Sequence, residues 1–225
     1  MKIFSLTIIT LLYCFNDLSA QKGPLLGSGK TVTHSYDFTN FENISFEDFD
    51  GIIEVEVGKP YSITVQIDDN LAPGLQVSRD DDDQKLTIAL KDNYNGRLYL
   101  EDTNIKIKVS LPSVSSIYHR GNTEISVKDI KARYFRYENK GNGSAVLQGE
   151  AENLDIKKSG NGEVRCGDLI SKVSKVKSYG NGNVIINAQI SLSAIGAGNC
   201  SVIQIGAGSI DPLSGIVGNG KVRRM

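Results

Sequence analysis

The sequence predicts an all-β protein built as a parallel β-helix, or β-solenoid, with coils of about 19–20 residues. Three observations predict it. A Gly-Asn pair returns at Gly121-Asn122, Gly141-Asn142, Gly160-Asn161, Gly180-Asn181, Gly198-Asn199 and Gly218-Asn219, in steps of 20, 19, 20, 18 and 20 residues. Overlaid repeats stack apolar columns: Ile125, Ala145, Val164, Val184, Val202 and Val222, and two places further Val127, Leu147, Cys166 and Ile186, continuing into Gln204 and Arg224. Residues two apart on a strand share a face, so both columns can point inward. Finally, Trp is absent and 23 Gly stand against 5 Pro, which suits short strands of Ile, Val and Leu joined by tight turns.

From the N-terminus, residues 1–20 read as a secretory signal peptide: Lys2, an apolar run from Ile3 to Phe15, and Leu18-Ser19-Ala20 before Gln21. A lipoprotein signal using Cys14 is disfavoured by the bulky Tyr13 before it. No other run is long enough to span a membrane, so the chain is expected to be exported, to the periplasm or the cell surface. Residues 21–225 are expected to form one solenoid body, with 30–112 as irregular early coils and 113–225 as regular repeats. In the early part, 52–57 and 61–67 straddle a Gly58-Lys59-Pro60 turn and suggest a hairpin. Two further alternating runs follow at 86–90 and 105–109.

Within the repeats, Tyr134, Leu154 and Val173 share an offset and suggest another inward column, with Leu192 one place out of phase; Ile130 and Leu169 suggest a third. Each corner needs positive φ, which Gly adopts freely and Asn tolerates. Asn122, Asn142, Asn161, Asn181, Asn199 and Asn219 are read as structural turn residues whose side chains can hydrogen-bond from coil to coil. Cys166 and Cys200 fall at different offsets and are read as unpaired core or turn residues. Lys221 to Met225 reads as a polar cap.

The segments Phe41-Glu42-Asn43-Ile44, GIIEVEVG from Gly51 to Gly58, Val65 to Leu71, Leu86-Thr87-Ile88, Val109 to Val114 and the Gly-Asn-Gly series resemble the auto-transporter adhesin head domain, or head GIN domain, family of exported Bacteroidetes proteins. The resemblance covers nearly all of the chain after the signal. It implies a right-handed parallel β-helix outside the cytoplasm and supplies no catalytic motif. No series of alternating strands suited to a translocator barrel follows the repeats, so the chain is expected to be a head without one.

Charge is segregated. Residues 30–105 carry 16 acidic and 6 basic side chains, whereas 106–225 carry 9 acidic and 17 basic. Arg133 and Lys172, Arg136 and Lys175, and Lys158 and Lys177 share offsets, which predicts a basic stripe on one side wall and an acidic polysaccharide or cell-surface polymer as partner. Binding without chemistry and without a cofactor is the expected function. The alternative is a structural envelope component self-associating through 184–220, where Asp211 is the only charge. A polysaccharide hydrolase or lyase, the less favoured alternative, would rest on Glu124 with Glu163 and Asp129 with Asp168, pairs two coils or ~10 Å apart, just beyond the usual separation of an inverting glycosidase pair, and no Trp is present to stack a sugar ring. Nucleic acid is disfavoured because no aromatics interleave with the cations. No metal site is expected: Asp80 to Asp83 with Asp68-Asp69 lack the spacing of a calcium loop, and the bland reading is a charged hairpin tip.

Overall fold

The computed structural model describes residues 24–91 and 100–225. Residues 1–20, read from the sequence as a signal peptide and including Cys14, and the polar loop around Asn93–Gly96 lie outside them. Four long strands make the regular coils: β11 (Glu124–Gly141), β12 (Ser144–Gly160), β13 (Val164–Asn181) and β14 (Val184–Asn199). All pair in parallel, as coils of a solenoid must. Each strand turns a corner. Its first half lies in one wall, here wall A, and its second half in another, wall B.

The N-terminal strands extend the same walls. Wall A continues from β11 through β4 (Ile52–Val57), β9 (Lys106–Leu111), β5 (Ser62–Asp68) and β2 (Thr31–Tyr36). Wall B continues from β11 through β10 (Ser116–Gly121), β3 (Asn43–Phe49), β7 (Lys85–Leu90) and β6 (Leu75–Asp80). The β4 and β9 pairings are parallel, and β5 and β2 are antiparallel; on wall B, β3 and β7 are parallel and β6 antiparallel. The early region is therefore two irregular coils, β3–β4 and β7–β9, closed by antiparallel strands. The expected hairpin between 52–57 and 61–67 does not form, because β9 inserts between β4 and β5 and pairs with both. A separate short pair joins β1 (Leu25–Leu26) to β8 (Leu100–Glu101). At the far end β15 (Val202–Gln204), β16 (Ser209–Ile210) and β17 (Gly215–Gly218) form one further coil on β14, and β18 (Val222–Arg224) stacks on β15.

The two expected apolar columns point inward. Ile125, Ala145, Val164, Val184 and Val202 are each at most 2% exposed, and Ile53 and Ile107 prolong the column into the early coils. At roughly 1.5–3 kcal/mol per fully buried aliphatic side chain, this stacking is the main stabilising term. The second column, from Val127 through Ile186, ends in polar residues that bond the main chain. Gln204 accepts from Ala188 N–H at 3.1 Å and donates to Ala188 O at 2.8 Å, and Arg224 donates to Gly206 O and Gly208 O.

The Tyr134 column is a correction. Phe135, Leu154, Ser174 and Leu192 are the residues in register and inside, so Leu192 is in phase and Tyr134 is 50% exposed. The slip arises because the steps differ in length and the ladder shifts register at the corner between Val127 and Ile130. At each Gly-Asn corner the glycine takes the positive φ, from 93° at Gly180 to 140° at Gly121. The asparagines do not adopt positive φ; they form the ladder. Asn142 donates to Asn122 (3.2 Å), Asn161 to Asn142 (2.7 Å), Asn181 to Asn161 (2.8 Å), Asn199 to Asn181 (3.0 Å) and Asn219 to Asn199 (2.8 Å). Cys166 and Cys200 are buried and unpaired.

Candidate functional site

Alternation along β10 to β14 decides what wall B shows to solvent. With Phe135 and Tyr137 fully buried, the residues at 134, 136, 138 and 140 face out. Register then builds outward columns from coil to coil: Ser116, Arg136, Asp155, Lys175 and Ser193; Tyr118, Glu138, Lys157, Lys177 and Ile195; Arg120, Lys140, Ser159, Tyr179 and Ala197. Within the three middle coils, five basic side chains (Arg136, Lys140, Lys157, Lys175 and Lys177) surround two carboxylates, Glu138 and Asp155.

Glu138 is the hub. Lys157 Nζ lies 3.0 Å from its Oε1, Lys140 Nζ 3.6 Å from the same oxygen, and Arg136 3.1 Å from Oε2. Its partial burial opposes ionisation, but the hydrogen bonds from Lys157 and Arg136 outweigh that and hold its carboxyl below the ordinary value. Arg136 also reaches Asp155 at 4.0 Å. Lys175 and Lys177 are exposed and pair with no carboxylate among the described residues. Three tyrosines share this wall: Tyr118, with Lys140 Nζ 5.4 Å from its ring centroid, Tyr134, whose hydroxyl donates to Asp155 at 3.2 Å, and Tyr179, 40% exposed.

The other expected stripe residues scatter. Arg133 and Lys172 lie on the edge between the walls, where Glu152 of the intervening coil bonds Lys172 at 2.8 Å. That bond lowers the Glu152 carboxyl. Beside them is a shallow depression of about 460 Å³ lined by Lys131, Arg133, Glu150, Glu152, Ile170 and Lys172. Two of the three expected pairs, Arg133 with Lys172 and Arg136 with Lys175, compare alternate coils and so pass over Glu152 and Asp155.

Lys158 is a plain correction: it points inward and is 1% exposed. It sits in an internal polar column with His119, Asn139 and Ser178, all in register. Its ammonium donates to Gly160 O at 2.8 Å and to Asn181 O, and burial lowers its pKa. His119 bonds Tyr137 Oη through Nδ1 at 3.0 Å and Thr123 Oγ1 through Nε2, and burial pushes it down to about 4. It is sealed from any substrate.

Several of the remaining acidic candidates make local contacts. Arg165 holds Glu163 at 2.7 Å. The Asp80 carboxylate accepts from Asp82 N–H at 3.0 Å, an Asx turn within the β6–β7 hairpin. Asp68 is fully buried and accepts from Gly29 N–H (2.9 Å) and Asn104 N–H (2.6 Å). Among the described residues no cluster of His, Cys, Asp or Glu is arranged to hold a metal ion, and no helix is long and apolar enough to cross a membrane.

Sequence reasoning missed Lys157, Lys140 and the tyrosines. Alternation counted from the buried Phe135 and Tyr137, rather than from the corner glycine, places all of them outside. The premise against nucleic acid also changes, because aromatics do interleave with cations on wall B.

The chain belongs to the family described as "Putative auto-transporter adhesin, head GIN domain", whose profile matches residues 40–208. Among solved structures, a putative adhesin from Bacteroides fragilis is similar, with a TM-score of 0.69 at 20% identity, over 89% of this chain and 100% of that one. A putative lipid binding protein from Parabacteroides distasonis gives 0.56 at 18% identity, over 90% and 99%. A putative adhesin from the same species gives 0.51 at 16% identity, over 89% and 99%. At these identities the likeness shows the fold. No curated protein matches the chain. The family and these neighbours fit a non-enzymatic binding module and are consistent with an exported protein.

Proposed function

We propose that this protein binds an anionic polysaccharide or other anionic surface polymer through wall B, without chemistry. The observation that carries it is the flat outward face where Lys157, Lys175 and Lys177 stand in adjacent coils beside Tyr134 and Tyr179. Adjacent strands repeat about every 4.8 Å, close to the length of a sugar unit, so a polymer laid along the solenoid axis meets one row per residue. Tyrosine rings offer stacking surface, and the unpaired Lys175 and Lys177 offer charge. Glu138 and Asp155 within the patch disfavour the dense, regular phosphates of nucleic acid and suit a sparser charge pattern. Wall B replaces the stripe expected from sequence, keeps Arg136, Lys175 and Lys177, and moves Arg133 and Lys172 to its border.

The test is retention of the full chain on immobilised dextran sulfate, polygalacturonate, neutral dextran and single-stranded DNA at low and high salt. Retention on the acidic polysaccharides that fades with salt is expected, because exposed charges are screened within about 10 Å at 0.1 M salt. Equal retention on neutral dextran, or none on any acidic polymer, would overturn the proposal.

A further inference from the structure

Wall B does not stop at its cations. Register carries Lys175, Lys177 and Tyr179 of β13 onto Ser193, Ile195 and Ala197 of β14, and Ile195 and Ala197 onto Gly215 and Val217 of β17. Charge disappears along the way, since Asp211 is the only charged residue between Val184 and Gly220. Exposed apolar side chains replace it: Ile195 is 45% exposed, Val217 78% and Leu213 88%.

Leu213 is held in place. Its N–H donates to Asp211 Oδ1 at 2.9 Å, and Ser214 N–H donates to Asp211 O at 2.9 Å. Ser214 Oγ accepts from Ala194 N–H at 3.0 Å and ties the turn to β14. The one carboxylate of the region is thus engaged in building the turn that displays the leucine. A fixed apolar patch borders a cationic row on the same wall.

We infer that wall B docks on a lipid surface bearing anionic headgroups. Ile195, Leu213 and Val217 enter the boundary between headgroups and acyl chains, Lys157, Lys175 and Lys177 meet the headgroup charges, and Tyr179 lies at the border. The inference rests on wall B being the binding face and goes beyond the polymer reading by giving that face a lipid partner. A soluble anionic polymer would satisfy the lysines and leave the three apolar side chains in water. A second copy would bring no available carboxylate to the lysines from this patch. An anionic bilayer surface answers both halves, charge to charge and apolar to apolar.

The experiment is flotation of the full chain with vesicles of phosphatidylcholine alone and of phosphatidylcholine with phosphatidylglycerol, beside dextran sulfate retention. The chain should float with the anionic vesicles and not with the neutral ones. The double variant Leu213→Ser/Val217→Ser changes only exposed positions; it should lose roughly tenfold or more in vesicle affinity and keep its dextran sulfate retention. Lys175→Ser/Lys177→Ser should weaken both. Retention on dextran sulfate without flotation, or a double variant that floats like the parent, would overturn the lipid inference and leave wall B as a polymer-binding face. Failure of both assays would remove the binding face itself. A double variant that turns a dimer into a monomer while flotation is unchanged would assign the patch to a second copy instead, and sink the inference.

Discussion

The regular coils from β11 to β14 and the irregular region from β2 to β9 share a continuous core, yet they are held in different ways. In the coils each contact is made again one step along. The apolar columns, the corner glycines and the asparagine ladder all repeat, so each coil templates the next and little sequence is specific to one place. In the irregular region the ties are single and long-range. Asp68 alone gathers Gly29 and Asn104, Glu42 accepts from Ser113 and Ser115 at 2.9 Å, and Arg120 reaches back to Glu47 and Asp48. Its antiparallel strands β2, β5 and β6 stop the parallel ladder from continuing. Repetition gives a long, flat wall on which charges can be placed in rows; the single ties close the end of the rod.

The largest effect is a methyl group on glycine at a stacked corner of the coils, against one at an open turn of the irregular region. Gly160 has φ +128°, and a Cβ there would collide with the Gly141 carbonyl oxygen of the coil before. Gly58, in the irregular region, has φ +80° with nothing within 4 Å of a Cβ. Gly160→Ala should therefore cost about 3–5 kcal/mol, from strained φ and a backbone clash together. Gly58→Ala should cost only about 1 kcal/mol, for the left-handed conformation alone. Urea unfolding of the two variants checks this. Equal losses would mean that the corners do not stack as closely as described.

Acid separates the regions next. His119, on β10 beneath the first regular coil, has its folded pKa depressed to about 4 by burial, against an unfolded value of about 6.5. Protonation therefore favours the unfolded chain. Stability from this group is full above pH 6.5 and falls by about 3 kcal/mol as pH drops to 4. Asp68, in the irregular region, behaves differently. Burial opposes its ionisation, but hydrogen bonds from Asn104 and Gly29 outweigh that and lower its carboxyl. Its contribution is present above the unfolded value of about 3.9 and is lost only as pH falls below it. His119→Gln should flatten the stability profile between pH 6.5 and 4 and leave the lower limb. Asp68→Asn should do the reverse. A profile unchanged by His119→Gln would place that pH dependence elsewhere.

The same contrast explains what could be read from the sequence. The two inward columns from Ile125 and Val127 and the Asn ladder were legible because each repeats several times at constant offset. Tyr134 was misplaced because offsets were counted from the corner glycine, while the coil lengths and the register shift after Val127 let the second half of each coil slip by one. One place on a strand exchanges inside for outside. Lys158 was misplaced by the same slip, since Lys157 and not Lys158 is in register with Lys177; the two carbonyl oxygens that accept from its ammonium make the burial tolerable. The path of β3 to β9 was not legible at all. The β3–β4 coil lies between β7–β9 and β10–β11, an order that no local pattern encodes.

The most direct measurement compares two variants on dextran sulfate: Lys157→Ser/Lys175→Ser/Lys177→Ser on wall B, and Arg133→Ser/Lys172→Ser at the edge. If wall B is the binding face, the triple variant should bind about tenfold or more weakly and lose most of its salt dependence, while the edge variant changes little, since Arg133 and Lys172 lie off that face. A triple variant that binds like the parent, or an edge variant that loses more, would contradict the account.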